Sequence, residues 1–357
     1  MRRRVVVVSA LLVVIVVAVA VAVLAGRSDG GPKGAALLGS GRPAAYRILY
    51  RVQQSAAPPT TVVWEILSAR RPFDIRKVTF SQRPNPGDRP TGGTLTDVDH
   101  LYVVRPDGIH AVSGRQPALG TADQALAPVM QAAVDRGLAK AGDTRTVAGR
   151  RCRDYRFLEP PAGPIKSLRG SDNDQICLDA DGLVLREAYT LKGKLVMLRE
   201  AQEVTIDPPG LDAELDVSAV SPSTDANAPS AERLDDPSAA AGVPAPAGFS
   251  PPAVVSFALP SPPGTGGPPL LYQSTVWAFT RCADLITVEA GGGGALPWVD
   301  TDPSQAVSLP VGPAESVIRS DGAELRVDLG GGRWLRVRGT VSPEALADYA
   351  RTLPRAA

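Results

Sequence analysis

The stretch DQICLDADGLVLREAYTLKGKLVMLREAQEVTID, residues 174–207, decides the fold. Two turn signals divide it, Asp181-Gly182 and Lys192-Gly193. Glycine reaches the positive φ that tight hairpin turns require. Three strand-length runs remain, 174–179, 183–191 and 194–206. Strands joined by turns this short lie antiparallel, so the stretch reads as a meander.

The residues before it follow the same period. In AYRILYRVQQ, Tyr46, Ile48, Tyr50 and Val52 alternate with Arg47, Leu49, Arg51 and Gln53, the two-residue period of a strand. TVVWEILSARR follows a Pro-Pro turn, with Val62, Trp64 and Ile66 on one face. A third strand falls near residues 74–81, and Asp107-Gly108 marks a hairpin inside DHLYVVRPDGIHAV. Leu126, Met130, Val134 and Leu138 recur every four residues and predict a helix over 122–139, with Pro128 in its first turn or at a kink. Strand pattern resumes at TVAGRRCRDYRFLEP. Residues 44–207 thus form an α+β domain, a curved antiparallel sheet with a helix on its concave face.

Residues 208–245 are rich in Pro, Ala, Ser and Asp and read as a flexible linker. Residues 246–357 read as a small α+β domain of short strands and Gly-rich turns. Trp277 and Trp334 belong to its core. It closes on a helix with Ser342 as N-cap, Pro343 in the first turn, and Leu346, Tyr349 and Leu353 as its apolar stripe.

The chain opens MRRRVVVVSALLVVIVVAVAVAVLAGR. Ser9 is the one polar residue between Val5 and Leu24, and as a helix this run spans about 30 Å, the thickness of a bilayer core. Its Ala-x-Ala triplets lie inside the apolar run rather than after it, which favours retention over cleavage. Leu24-Ala25-Gly26 begins like a lipobox, but Arg27 stands where the lipidated Cys belongs. Arg2, Arg3 and Arg4 place the N-terminus in the cytoplasm. The expectation is a single-pass anchor at 1–27, a spacer at 28–43 and an extracytoplasmic body in the cell membrane's outer compartment. Setting those three arginines aside leaves 35 basic against 37 acidic residues. No basic excess calls for nucleic acid.

In that compartment a disulfide is favoured. Cys152 shares a strand face with Asp154 and Arg156, and Cys177 shares one with Gln175 and Asp179. Both cysteines therefore lie on the polar side of neighbouring strands, where they pair. Cys282 is the odd one, a small buried residue.

Catalytic signatures are absent: no Gly-x-Ser-x-Gly, no His-Glu-x-x-His and no Walker loop occurs. His100 and His110, the two histidines, flank the Asp107-Gly108 hairpin. Asp99 points to the opposite face of a strand from His100, so two surface histidines are the better reading. Gly291–Gly294 lacks the Lys-Ser/Thr of a phosphate loop and reads as a hairpin tip. No metal, cofactor or catalytic residue is assigned. A curved sheet backed by a helix can hold an apolar cavity. Tyr46, Tyr50, Trp64, Tyr155 and Phe157 line it if they face the helix. If not, they make a packed core, which has the better odds.

The paired Tyr-rich first strands, the GRRCRDYRF strand and the CLDADGLVLREAY–LKGKLVMLREAQEVTI meander carry a resemblance. Residues 46–206 look like the LolA-like lipoprotein-carrier fold, as in the LolA/LolB carriers and the N-terminal domain of the MucB/RseB sigma-factor regulators. The closing GRWLRVRGTVSPEALADYARTL resembles the small C-terminal domain of MucB/RseB-like proteins. The form this resemblance implies is an actinobacterial-type, membrane-anchored one. The resemblance implies an incomplete barrel that binds acyl chains or lipidated partners outside the cytoplasm. The expected function is a non-enzymatic binding protein for lipid, a lipoprotein or an anti-sigma-type membrane protein, as a sensor in an envelope-stress pathway. The alternative is an envelope hydrolase or metal-dependent enzyme using His100 and His110.

Overall fold

The computed structural model describes residues 43–354 apart from 56–58, 71–72, 118–133, 135–138, 158–172, 222, 264–268, 282–283, 294–295, 299–303 and 320–321. The apolar run at 1–27, the spacer, almost all of the helix expected at 122–139, and Cys282 lie outside the described residues. Among the described residues no helix is long and apolar enough to cross a membrane.

Eleven strands make the first sheet: β1 (Ala45–Gln54), β2 (Thr61–Arg70), β3 (Asp74–Phe80), β4 (Gly92–Thr96), β5 (His100–Arg105), β6 (Gly108–Gly114), β7 (Ala139–Val147), β8 (Arg150–Phe157), β9 (Asn173–Asp179), β10 (Val184–Leu191) and β11 (Lys194–Ile206). Their order is β6-β5-β4-β3-β2-β1-β11-β10-β9-β8-β7, antiparallel throughout. Every neighbour but one is a sequence neighbour. The exception is β1 against β11, which joins two meanders into one sheet. The two ends, β6 and β7, do not pair, so the barrel stays open. The 174–207 meander is β9-β10-β11, as its turns predict. Leu191 pairs with Lys194, and the two residues between them, Lys192 and Gly193, have φ of 51° and 72°. Positive φ at both central positions is the hairpin turn that matches strand twist.

Both faces of this sheet are covered. On one face Tyr46, Ile48, Tyr50 and Val52 stand opposite Ala69, Leu67, Glu65 and Val63 of β2. They join Cys152, Cys177, Leu183 and Leu185 in one core. On the other face Trp64 and Ile66 join Val78, Phe80, Leu95, Tyr102 and Val104.

The stretch 208–245, expected as a flexible linker, instead packs as a strap. It holds the short helices α1 (Leu211–Leu215) and α2 (Pro237–Ala241) and a strand, β12 (Ser230–Arg233). Leu211 and Leu215 are buried, and Val217 and Val220 cover the Val78–Phe80 cluster. Glu214 fixes α1 by accepting from Arg47 Nε at 3.3 Å and from Ser68 Oγ. Four apolar side chains among Pro, Ala and Asp suffice here because they meet a preformed sheet.

The second sheet contains β12, β13 (Ala253–Pro260), β14 (Leu270–Arg281), β15 (Asp284–Gly293), β16 (Gln305–Leu309), β17 (Gly312–Arg319), β18 (Gly322–Gly330) and β19 (Arg333–Gly339). The order is β12-β13-β14-β15-β19-β18-β17-β16. Since β12 belongs to it, this domain begins before residue 246. Gly291 sits inside β15 rather than in a free hairpin tip, because a Cβ there would fall 2.7 Å from the Gln273 carbonyl oxygen and against the Trp334 ring. The closing helix α3 (Pro343–Ala350) forms as its sequence predicts. Ser342 Oγ accepts from Ala345 N at 3.2 Å, and Leu346, Tyr349 and Leu353 are buried. Burying Leu346 alone contributes about 2 kcal/mol. Trp334 is core, edge-on to both Tyr272 and Trp298. Trp277 is half-buried and donates to the Ala239 carbonyl at 2.7 Å, tying α2 down.

Candidate functional site

The aromatic residues expected around a cavity divide between the two faces. Tyr50 is opposite Glu65, so Trp64, the next residue, points to the other side, where it is opposite Arg51. There Arg83 lies over its ring at 5.5 Å. Tyr155 does share the tyrosine face. A register row runs from Val52 through Arg199, Glu187 and Ile176 to Tyr155. The Phe157 side chain lies outside the described residues. Tyr46 and Tyr50 are both 0% exposed. The Tyr50 hydroxyl donates to the Val184 carbonyl at 2.7 Å. Among the described residues, Tyr46 and Tyr50 are thus enclosed by protein.

The centre of that face holds charge. Arg199 lies over the Tyr50 ring, its guanidinium carbon 3.6 Å from the centroid. Its Nε donates to Glu65 Oε1 at 2.8 Å and its Nη1 to Glu187 Oε2 at 3.0 Å. Lys77 approaches Glu65 at 3.3 Å from β3. Arg199, Glu65 and Glu187 are each under a tenth exposed. A buried charge without partners costs several kcal/mol, so the group of four is near neutral and holds β2, β10, β11 and β3 in one register. Nothing in the alternating pattern separates Glu65 from an exposed strand glutamate. The one sequence signal is its place between Val63 and Leu67.

Cys152 and Cys177 form a disulfide, with Cα atoms 5.4 Å apart. The face they share with Asp154 and Asp179 is polar in sequence but buried in the structure. Arg145 pairs with Asp154, and Arg150 reaches Asp179 at 2.7 Å and also Asp181.

The two histidines are not a pair. His100 stands opposite Gly114 at one end of the β5–β6 hairpin, and His110 stands opposite Val103, near the other. His110 is held by Asp107 at 3.0 Å. That register removes the shared His100–His110 site of the enzymatic alternative. Asp97, Asp99 and His100 do converge, with ligand atoms within 4.8 Å of one another. Strand alternation fails to separate Asp99 from His100 because Asp99 lies in the turn before β5. Asp97 caps that turn, accepting from the Asp99 and His100 amides at 3.0 and 2.6 Å and from the Tyr102 hydroxyl at 2.9 Å. Arg115 and Arg233 face the group: burial draws the Arg115 guanidinium down to about 10 against the opposing pull of Asp97, Asp74 and Asp99, and Arg233 Nη2 lies 3.9 Å from Asp99 Oδ1. Burial, then the Asp97 charge, pushes the Asp99 carboxyl up. A turn cap neutralised by an arginine is a structural arrangement.

The cluster stands at the junction of the two sheets. Gly114 N donates to the Pro229 carbonyl at 2.7 Å. A Cβ on Gly114 would overlap the backbone of Ser230 and Ala231, so β6 and β12 meet without side chains between them. Two residues on, Gln116 enters the second sheet. Its Nε2 donates to the Tyr272 hydroxyl at 3.1 Å and to Glu289. Glu289 also accepts from Ser274 Oγ at 2.7 Å and Arg336 Nε at 2.8 Å. No sequence signal marks Gln116, since its partners lie more than 150 residues away.

No family model matches the chain, and no curated protein matches it. Among solved structures it is similar to a chain of the Pseudomonas aeruginosa MucA/MucB complex, at 14% identity over 88% of this chain and 94% of that one, TM-score 0.33. A LolA superfamily protein from Nitrosomonas europaea is similar at 7% identity over 51% of this chain and 94% of that one, TM-score 0.23. An outer membrane lipoprotein-sorting protein domain from Vibrio parahaemolyticus is similar at 7% identity over 48% and 90%, TM-score 0.22. These neighbours are of the MucB and LolA-superfamily kinds that the residues resemble. At such overlap the fold rests on the strand order and register above.

Proposed function

We propose that this chain is a membrane-anchored, extracytoplasmic binding protein, non-enzymatic, that engages a membrane partner through its surface. One observation carries the reading: Tyr46 and Tyr50, at the centre of the open sheet, are fully buried, with Arg199 stacked on Tyr50 between two carboxylates. An acyl carrier needs an apolar void at that place, and here it is filled and charged. The disulfide supports an oxidising compartment. The apolar run before the body supports a fixed tether. A partner of the anti-sigma type, as the resemblance implies, suits a tethered body better than a shuttled lipoprotein does.

The test is crosslinking of the full chain in its native membrane, followed by mass spectrometry of captured species. A membrane protein recovered in stoichiometric amount supports the reading. Stoichiometric acyl lipid with no protein overturns it in favour of a carrier.

A further inference from the structure

One end of the first sheet combines apolar and basic side chains. The row that defines it runs Lys140, Arg156, Gln175, Ala188, Leu198, Gln53, Val62, one residue per strand. From this row outward, among the described residues, four basic residues hold register or turn positions, Lys140, Arg156, Lys192 and Lys194, against one acidic residue, Asp174. The whole chain is close to neutral, so this end departs from it in charge.

It departs in polarity as well. Val62 is 36% and Leu191 40% exposed, two of the four large apolar residues that stand out to solvent among the described residues. Both are at this end, at the tips of neighbouring hairpins. The hairpin that carries Leu191 reads LKGKLVM, so Leu191 and Leu195 flank Lys192 and Lys194 across a two-residue turn. A solvated turn needs no leucine at its tip. Lysines set between leucines fit a surface that is apolar within and anionic at its face, since the leucine side chains leave water while ammonium groups meet phosphate. Each basic residue near an anionic bilayer adds about 1 kcal/mol.

We infer that the Leu191–Leu195 hairpin tip, with Val62 on the adjoining β1–β2 hairpin, docks into the anionic phospholipid surface of the membrane that tethers the chain. The chain enters the sheet at Ala45, the opposite end of β1. Residues 28–43 nevertheless reach about 55 Å when extended, more than the roughly 33 Å length of β1, so the tip can lie on the same bilayer. Docking at this end stands the strands up from the membrane, with Ala45 at the far end of β1.

The inference rests on the tethered reading and is tested apart from it. The full chain is reconstituted in vesicles of phosphatidylcholine alone and of phosphatidylcholine with 30% phosphatidylglycerol. Backbone hydrogen exchange of residues 190–198 is then compared. The expected result is at least threefold slower exchange in the anionic vesicles. The slowing disappears in the Leu191→Ser, Lys194→Ser double variant, while exchange in β1 and β2 stays as in the wild type. Equal exchange in the two vesicles, or slowing that survives the double variant, overturns the docking. Failure of partner capture with lipid-dependent protection intact would overturn the proposed function alone.

Discussion

Gln116, two residues past the end of the first sheet, accepts a 2.9 Å hydrogen bond through Oε1 from Arg336 Nη2 in the second. One amide thus serves three groups of the other domain: it accepts from Arg336 and donates to Tyr272 and Glu289. Truncation to alanine leaves buried polar groups short of partners, a cost of about 1–3 kcal/mol. Gln116→Glu sets a second carboxylate against Glu289 and costs more. Urea unfolding at neutral pH gives the order wild type, alanine, glutamate. A glutamate variant as stable as wild type would show that the junction is wet and open.

Arg199 joins Glu65 to Glu187, donating to both at hydrogen-bond distance. Arg199→Met takes from Glu187 its cation and leaves Glu65 with Lys77 alone, and is expected to cost about 3–5 kcal/mol. Adding Glu65→Gln and Glu187→Gln recovers most of that loss, because the burden is the uncompensated charge. Thermal melts of the single and triple variants distinguish this from a loss of packing, which the triple variant would not repair.

The Cys152–Cys177 bridge closes a loop of 25 residues. In the chain-entropy model such a loop stabilises by about 3 kcal/mol. Reduction should add 2 Da per bridge to the intact mass, a shift of about 2 in hydrogen count, and lower the unfolding midpoint accordingly. An unchanged midpoint on full reduction would mean that the part-buried Arg145–Asp154 and Arg150–Asp179 pairs already fix β7, β8 and β9.

Asp99 prescribes a pH dependence. Its folded carboxyl lies above the ordinary value, so the folded protein favours the neutral acid. The stabilisation from this group is complete below the unfolded pKa, near 3.9, and is lost as pH rises through the folded one. Asp99→Asn stays neutral and escapes that loss. The stability of the variant relative to wild type should therefore increase between pH 3 and pH 6. A difference that stays constant over this range would rule the linkage out.

The meander was readable because its turns are written in residue types: Lys192-Gly193 adopts the positive φ that glycine marks. The α3 helix was readable for the same kind of reason, a local cap followed by a local stripe. The strap at 208–245 was not, because Leu211, Leu215, Val217 and Val220 show no period of their own and gain order only against β2 and β3. Trp64 was set beside the tyrosines because alternation assigns faces within a strand but not between strands. The β1–β2 register, with Tyr50 opposite Glu65, places it on the other side. Gln116 and the Arg199 cluster depend on contacts distant in sequence, where composition is silent.

The pairing of β1 with β11 also governs the order in which the molecule can assemble. The strand that begins the body is flanked on one side by β2, which follows at once, and on the other by a strand completed only at Ile206. Until Ile206 arrives, Tyr46 and Tyr50 therefore sit on a strand with one hydrogen-bonding edge unmatched. Closure at such sequence separation is slow compared with hairpin formation. The body thus begins as a half-built sheet with an adhesive margin, and its folding yield depends on keeping that margin from pairing with other chains until the last meander arrives.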